Sequence, residues 1–102
     1  MMVVTTEHIP GQTVTRVLGR VLAVITRRRS PAMTGPRLRD LLTAWRSDAV
    51  RNMVEAAQGR GANAVLSVRF DHRDVGESWM EISVHGMAVV TRKDSSAAEE
   101  LT

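Results

Sequence analysis

The sequence contains no cysteine, no tyrosine, a single lysine (Lys93) and three large aromatic residues, Trp45, Phe70 and Trp79. Without cysteine, disulfides and thiolate metal sites are excluded, and nothing signals thiol redox chemistry. With so few aromatics, the core must be built from Val, Leu, Ile, Met and Ala, and it must be thin, because aromatics bury the most area per residue. Further burial by self-association is therefore expected. No apolar run approaches the ~18 to 20 residues of a membrane span. The N-terminus shows no basic segment followed by an apolar stretch, so no secretory signal is read and the cytoplasm is the expected compartment. The near-absence of lysine also explains an odd charge profile: the net charge is only +3, yet the pI is about 11.0. Arginine keeps its charge far above neutral pH, which lifts the pI without making the chain strongly cationic. Nucleic-acid binding does not follow from it.

What is present fits an ordinary globular chain: 43% of the 102 residues are hydrophobic and 25% charged, far from the balance of a disordered one. One domain over 1–93 is expected, with 94–102 as a frayed tail. Val3 to Thr6 is a short β-prone piece, and Ile9-Pro10-Gly11 marks a turn. Thr13 to Thr26 has apolar residues at helical spacing, yet Thr, Val and Ile dominate, which predicts a strand with Gly19 as a bend or bulge. Arg27-Arg28-Arg29-Ser30-Pro31 and the residues up to Gly35 read as loop. A helix follows: Thr34 or Gly35 caps it and Pro36 sits in its first turn. Leu38, Leu41, Leu42, Trp45, Ala49, Met53 and Ala57 form its apolar stripe, and Gly59 and Gly61 stop it. Ala64 to Asp71 is the next strand, with Ala64, Leu66, Val68 and Phe70 expected on one face. His72 to Ser78 is a polar turn. Trp79 to Val90 is the last strand; Met80, Ile82, Val84, Gly86 and Ala88 match the helix, while Trp79, Glu81, Ser83, His85 and Met87 form a mixed opposite face. The sum is an α+β class, two-layer β-α-β-β domain: one main helix on one face of an antiparallel sheet, with the other face in need of cover.

Candidate chemistry is sparse. Zinc asks for three or four converging His, Cys or carboxylate ligands. The histidines His8, His72 and His85 show no paired spacing. His72 has Asp71, Asp74 and Glu77 as turn neighbours, and His85 shares a strand face with Ser83 and Glu81, near Arg69 and Asp71 if the hairpin pairs simply. The plainer reading is a solvated turn and a polar subunit contact, although a ring could bring one ligand per subunit to its axis. Ser83 and His85 lie ~7 Å apart along one strand, too far for a nucleophile and its base. No phosphate loop, dinucleotide fingerprint or nucleophile elbow is present, so an enzyme is not expected. Arg27, Arg28 and Arg29 could meet phosphates, but no aromatic stacking surface accompanies them. Trp79, opposite the expected core, reads as an interface anchor. Asn63 reads as a turn residue that tolerates unusual backbone angles, with ligand contact the lesser alternative.

Several stretches resemble the YbjQ-like family, small bacterial proteins described as putative heavy-metal-binding. The matching residues are Thr5-Thr6, Ile9-Pro10-Gly11, Leu18-Gly19, Gly61-Ala62-Asn63-Ala64-Val65, Val68-Arg69-Phe70-Asp71, Glu81-Ile82, Gly86 and Ala88-Val89. The Gly-Ala-Asn-Ala-Val block is the most specific. This chain departs from the family in a shortened stretch from about Arg27 to Thr43, without a Gly-Gly pair or tyrosine, and in Gly86-Met87 where Gly-Thr is usual. The resemblance implies a dodecin-like fold and ring-forming homo-oligomers, typically a homopentamer. The expected function is a non-enzymatic oligomeric binding module of unknown ligand, with Trp79, His85 and Met87 at subunit contacts. The alternatives are a ring binding a divalent metal through His72 or His85 with carboxylates, and nucleic-acid contact through Arg27 to Arg29.

Overall fold

The computed structural model describes residues 1–29 and 35–94. They form β1 (Met2–Val3), β2 (Gln12–Arg28), α1 (Pro36–Gly59), β3 (Ala64–Val75) and β4 (Trp79–Lys93). The strands make one sheet in the order β1-β3-β4-β2. β4 pairs antiparallel with both β2 and β3, as the expected α+β layout requires. The short β1 adds a parallel pairing, Met2 against Ala64 and Val3 against Val65, so the sheet is mixed.

The helix starts and stops where its residues dictate. Gly35 holds a φ of 65° at the N-cap and Pro36 occupies the first position, where a missing N–H costs nothing. The alternative cap, Thr34, lies outside the described residues, as does the tail beyond Asp94. At the other end Gly61 takes a φ of 88°. Its N–H bonds the carbonyl of Gln58, and the Ala62 N–H bonds that of Ala57, the paired closure of a Schellman motif. Trp45, Ala49, Met53 and Ala57 are buried along one stripe, and Leu41, Leu42 and Val50 flank it. They pack on Val21, Ala23 and Ile25 of β2, Val65 and Val68 of β3, and Met80, Ile82, Val84 and Ala88 of β4.

Three expectations about the strands need correction. First, Arg27 and Arg28 are not loop: β2 runs to Arg28, opposite Trp79, because β4 offers a pairing partner that far. Second, His72 to Val75 are not turn: the hairpin continues to the pair Val75–Trp79 and closes over three residues, with Gly76 at a φ of 67°. Third, the alternation of β3 is broken by a bulge between Leu66 and Arg69. Ala64 and Leu66 face away from the helix and Val65 and Val68 towards it, so the four residues expected on one face are split, with Phe70 on the helix side beside Arg46 of α1. Gly86 stands opposite that bulge, and a Cβ there would lie 2.5 Å from Val65 Cγ1 and 3.0 Å from the Leu66 carbonyl oxygen. The predicted irregularity at Gly19 is present: β2 shifts register between Val14 and Arg16 and again between Val17 and Gly19.

The molecule is long, 57 × 26 × 17 Å, with a radius of gyration of 17.0 Å, whereas a compact chain of this length has about 13 Å. The reason is arithmetical. The 17 residues of β2 span roughly 56 Å at 3.3 Å each, and the 24 residues of α1 only about 36 Å at 1.5 Å each. One helix covers one face of this sheet incompletely and the other face not at all.

Candidate functional site

The open face of the sheet is built in cross-strand rows. Leu22, His85 and Arg69 form one row, Arg20, Met87 and Leu66 the next, and Val17, Val89 and Ala64 a third. Towards the hairpin tip the rows continue with Val24, Ser83 and Asp71, then Thr26, Glu81 and Arg73, then Arg28, Trp79 and Val75. The N-terminal segment crosses one end of this face. Val4 and Ile9 pack over Ala64, Leu66 and Val89, a second small core. Beyond it the face is bare, with Val17 64%, Leu22 59%, Val24 50% and Trp79 46% exposed. These four large apolar side chains share one sheet face, with the Arg20 row between Val17 and Leu22 and the Thr26–Glu81–Arg73 row between Val24 and Trp79.

At the border between the covered end and the bare stripe lies a hollow of about 520 Å³, lined by Glu7, Val14, Val17, Arg20, Leu66, Ser67, Arg69, His85, Met87 and neighbours. Its rim is shaped by the β3 bulge. Ser67 holds a φ of 54°, the left-handed region, at a cost of roughly 1–2 kcal/mol for a residue with a Cβ. The strain is held in place by backbone bonds from the Ser67 N–H to the Thr6 carbonyl and from the Val68 N–H to the Val4 carbonyl. Arg69 is anchored as well: its NH1 donates to the carbonyls of Thr5 and Val68, both at 2.9 Å.

The residues singled out from sequence fall into three groups. Trp79, His85 and Met87 share the open face as expected, and Arg69 does lie directly across from His85. His72 does not join them. It is paired with Ile82, which faces the helix, so the two histidines stand on opposite faces of the sheet. Among the described residues no three His, Asp or Glu side chains gather closely enough to hold a metal ion. Among the described residues of one chain the donor set therefore does not fit a heavy-metal centre.

Arg27, Arg28 and Arg29 are split rather than clustered. Arg27 lies on the helix side, 3.5 Å from Asp48, and Arg29 is 3.2 Å from Asp74, while Arg28 alternates to the open face beside Trp79. Asn63 is structural, though not through its backbone angle; Gly61 supplies the positive φ. The Asn63 side-chain amide donates to the Thr91 carbonyl and accepts from the Thr91 N–H, each at 2.8 Å, and so extends the β3–β4 ladder by one rung. Glu7, Arg20 and Ser67 were not legible as site residues. Arg20 and Ser67 look like ordinary strand positions until the bulges place them, and Glu7 sits in a segment whose path over the sheet has no local signature.

A mixed four-stranded sheet with one helix-covered face and one bare, partly apolar face defines a small α+β protein. The chain belongs to the YbjQ-like family: residues 1–92 match the family model described as "Putative heavy-metal-binding". It is 36% identical to a UPF0145 protein of Acidothermus cellulolyticus over 93% of this chain and 100% of that one. It is 38% identical to a UPF0145 protein of Streptomyces coelicolor over 92% and 100%. A UPF0145 protein of Thermoplasma volcanium is 32% identical over 94% of this chain and 88% of its own length, so the family extends beyond bacteria into archaea. A crystal structure of a DUF74-family protein of unknown function from Pediococcus pentosaceus matches with a TM-score of 0.63, covering 92% of this chain and 98% of that one. At 14% identity that likeness speaks for the fold alone.

Proposed function

We propose that this chain is a non-enzymatic, cytoplasmic binding module that works as a homo-oligomer, its bare sheet face closed by further copies of itself. The observation that carries this reading is the run Leu22, Val24 and Trp79, exposed on the face the helix does not cover. Burying them would contribute about 25 cal/mol per Å² of apolar area. Free sheet edges support it. β2 has no outer neighbour along its 17 residues, and β3 is flanked by β1 only at Ala64 and Val65, leaving the edge of Arg69 to Val75 open among the described residues. An unpaired edge is a template for another strand. Two different open edges on one chain favour head-to-tail contacts, which close into a ring when the rotation allows. His85 and Met87 then sit at the border of the subunit contact.

Native mass spectrometry of the untagged chain, with light scattering across a dilution series, tests this. A closed oligomer is expected, and a Leu22→Glu/Val24→Lys double variant should run as a monomer of unchanged helix content. A native chain that stays monomeric at high micromolar concentration sinks the proposal.

The family description favours one second reading, in which His85 side chains from several copies meet around a divalent metal. Titration with zinc, nickel and copper decides it. Stoichiometric binding lost in His85→Ala and kept in His72→Ala would establish that reading, and equal binding by all three chains would end it. No helix among the described residues is long and apolar enough to cross a membrane.

A further inference from the structure

The hollow at the β3 bulge is amphipathic along its length, which the oligomeric reading leaves unexplained. One end is polar, with Ser67, Arg69 and His85; the other is apolar, with Val14, Val17 and Val89, and Arg20 and Met87 lie between. We propose that it binds a small organic monocarboxylate, the carboxylate between Arg20 and Arg69 and the apolar body along the valines. This rests on the binding-module reading above and names its ligand class.

Four features converge on that chemistry. The volume, about 520 Å³, falls within the range of small-molecule sites, roughly 300–1,000 Å³. Arg20 and Arg69 project from the two strands flanking β4, one row apart and roughly 12 Å from each other at the backbone, so their long side chains can reach a head group between them. Among the described residues neither has a carboxylate within 4.0 Å, whereas Arg27, Arg29, Arg51 and Arg73 all do. With Glu7 as the only acid in the lining, the rim keeps one positive charge, which a single anionic head neutralises and a second would oppose.

The guanidinium of Arg69 is also set in advance. NH1 is spent on the Thr5 and Val68 carbonyls, so Nε and NH2 remain for a planar oxyanion, and little side-chain freedom is lost on binding. Ser67 is the second independent sign. A non-glycine residue kept in the left-handed region marks a place where geometry is held for a purpose. Its hydroxyl has no protein partner among the described residues, and Ser67 lines the hollow at the polar end. A bare inorganic anion would leave the valines wet, and an apolar alcohol would leave the arginines unpaired.

Octanoate is the probe, with octanol, octylamine and acetate as comparisons on the full chain, read by amide chemical shifts and calorimetry, and with native mass recorded on the same samples. Octanoate should shift Ser67, His85, Met87 and Val89 and bind at least about tenfold tighter than octanol or acetate, with no binding of octylamine. Arg20→Met should weaken octanoate about tenfold while leaving octanol unchanged. Val17→Asp, at an exposed position, should abolish binding with circular dichroism intact.

Equal affinity for octanoate and octanol, native-like octanoate affinity in Arg20→Met, shifts confined to other residues, or no octanoate binding at millimolar concentration would each overturn the proposal. The mass separates it from the assembly reading. A monomer that binds octanoate keeps the site and loses the oligomer, and an oligomer that ignores octanoate does the reverse.

Discussion

The two faces of the sheet come from alternate residues of the same three long strands, yet they obey different rules. On the helix side Val21, Ile25, Ile82 and Val84 are buried, and their positions admit little change. On the other side Leu22 and Val24, one residue along in each case, stand in the open. Hydrophobicity does not separate the two sets; cover does. Because the single helix packs on one face of the sheet, apolar residues that alternate to the other face stay uncovered within one chain. The two faces teach that exposure here follows from the placing of the one helix and not from residue type.

That comparison can be broken by three substitutions, in falling order of effect. Met53→Ala, in the middle of the covered side and fully buried, should cost about 2–5 kcal/mol through lost transfer energy and a cavity. By the usual scaling of 4–8 °C per kcal/mol, thermal unfolding of the chain should fall by roughly 10 °C or more. A shift of under about 3 °C would mean the helix side is not the principal core. Gly86→Ala comes next. Its new methyl would meet the Val65 side chain and the Leu66 carbonyl oxygen, and overpacking of this sort costs about 1–3 kcal/mol. Urea denaturation should show it as a lower midpoint at unchanged slope. An unaltered midpoint would show that the bulge relaxes freely. The smallest effect belongs to Leu22→Ser. Measured on dissociated chains, it should change unfolding free energy by no more than about 0.5 kcal/mol, as exposed positions do. A cost comparable to Met53→Ala would mean that Leu22 is buried within the single chain, and the contrast between faces would disappear.

Much of the covered side could be read from residues alone. The helix stripe, the Gly61 stop and the inward set of β4 each follow from a local period or a local backbone need, and all three are observed. The grouping of Ala64 and Leu66 with Val68 and Phe70 on one face does not hold, since strand alternation fails at the Ser67 bulge. A bulge is set by how β3 must bend to meet both β4 and the N-terminal segment, and no run of five residues encodes that. For the same reason the hairpin was read too short. His72, Arg73 and Asp74 have weak strand propensity, and they extend because Ile82, Glu81 and Met80 across from them are already in a strand. The placing of His85 near Arg69 was legible from simple pairing, whereas the separation of His72 from His85 was not, because His72 was read as turn. Once the hairpin extends to Val75, plain alternation sets His72 opposite Ile82 on the helix side.

By itself the sequence determined the class of fold, the family, the lack of thiol chemistry and the thinness of the core, because these depend on composition and on short-range periodicity. The tertiary structure alone decided which side of the sheet each β3 residue takes, that the three consecutive arginines part company, and that Arg20, Ser67 and Arg69 meet around one hollow. Those outcomes depend on register. Register is a balance of contacts summed over the whole sheet, so it is written in no single segment of the chain.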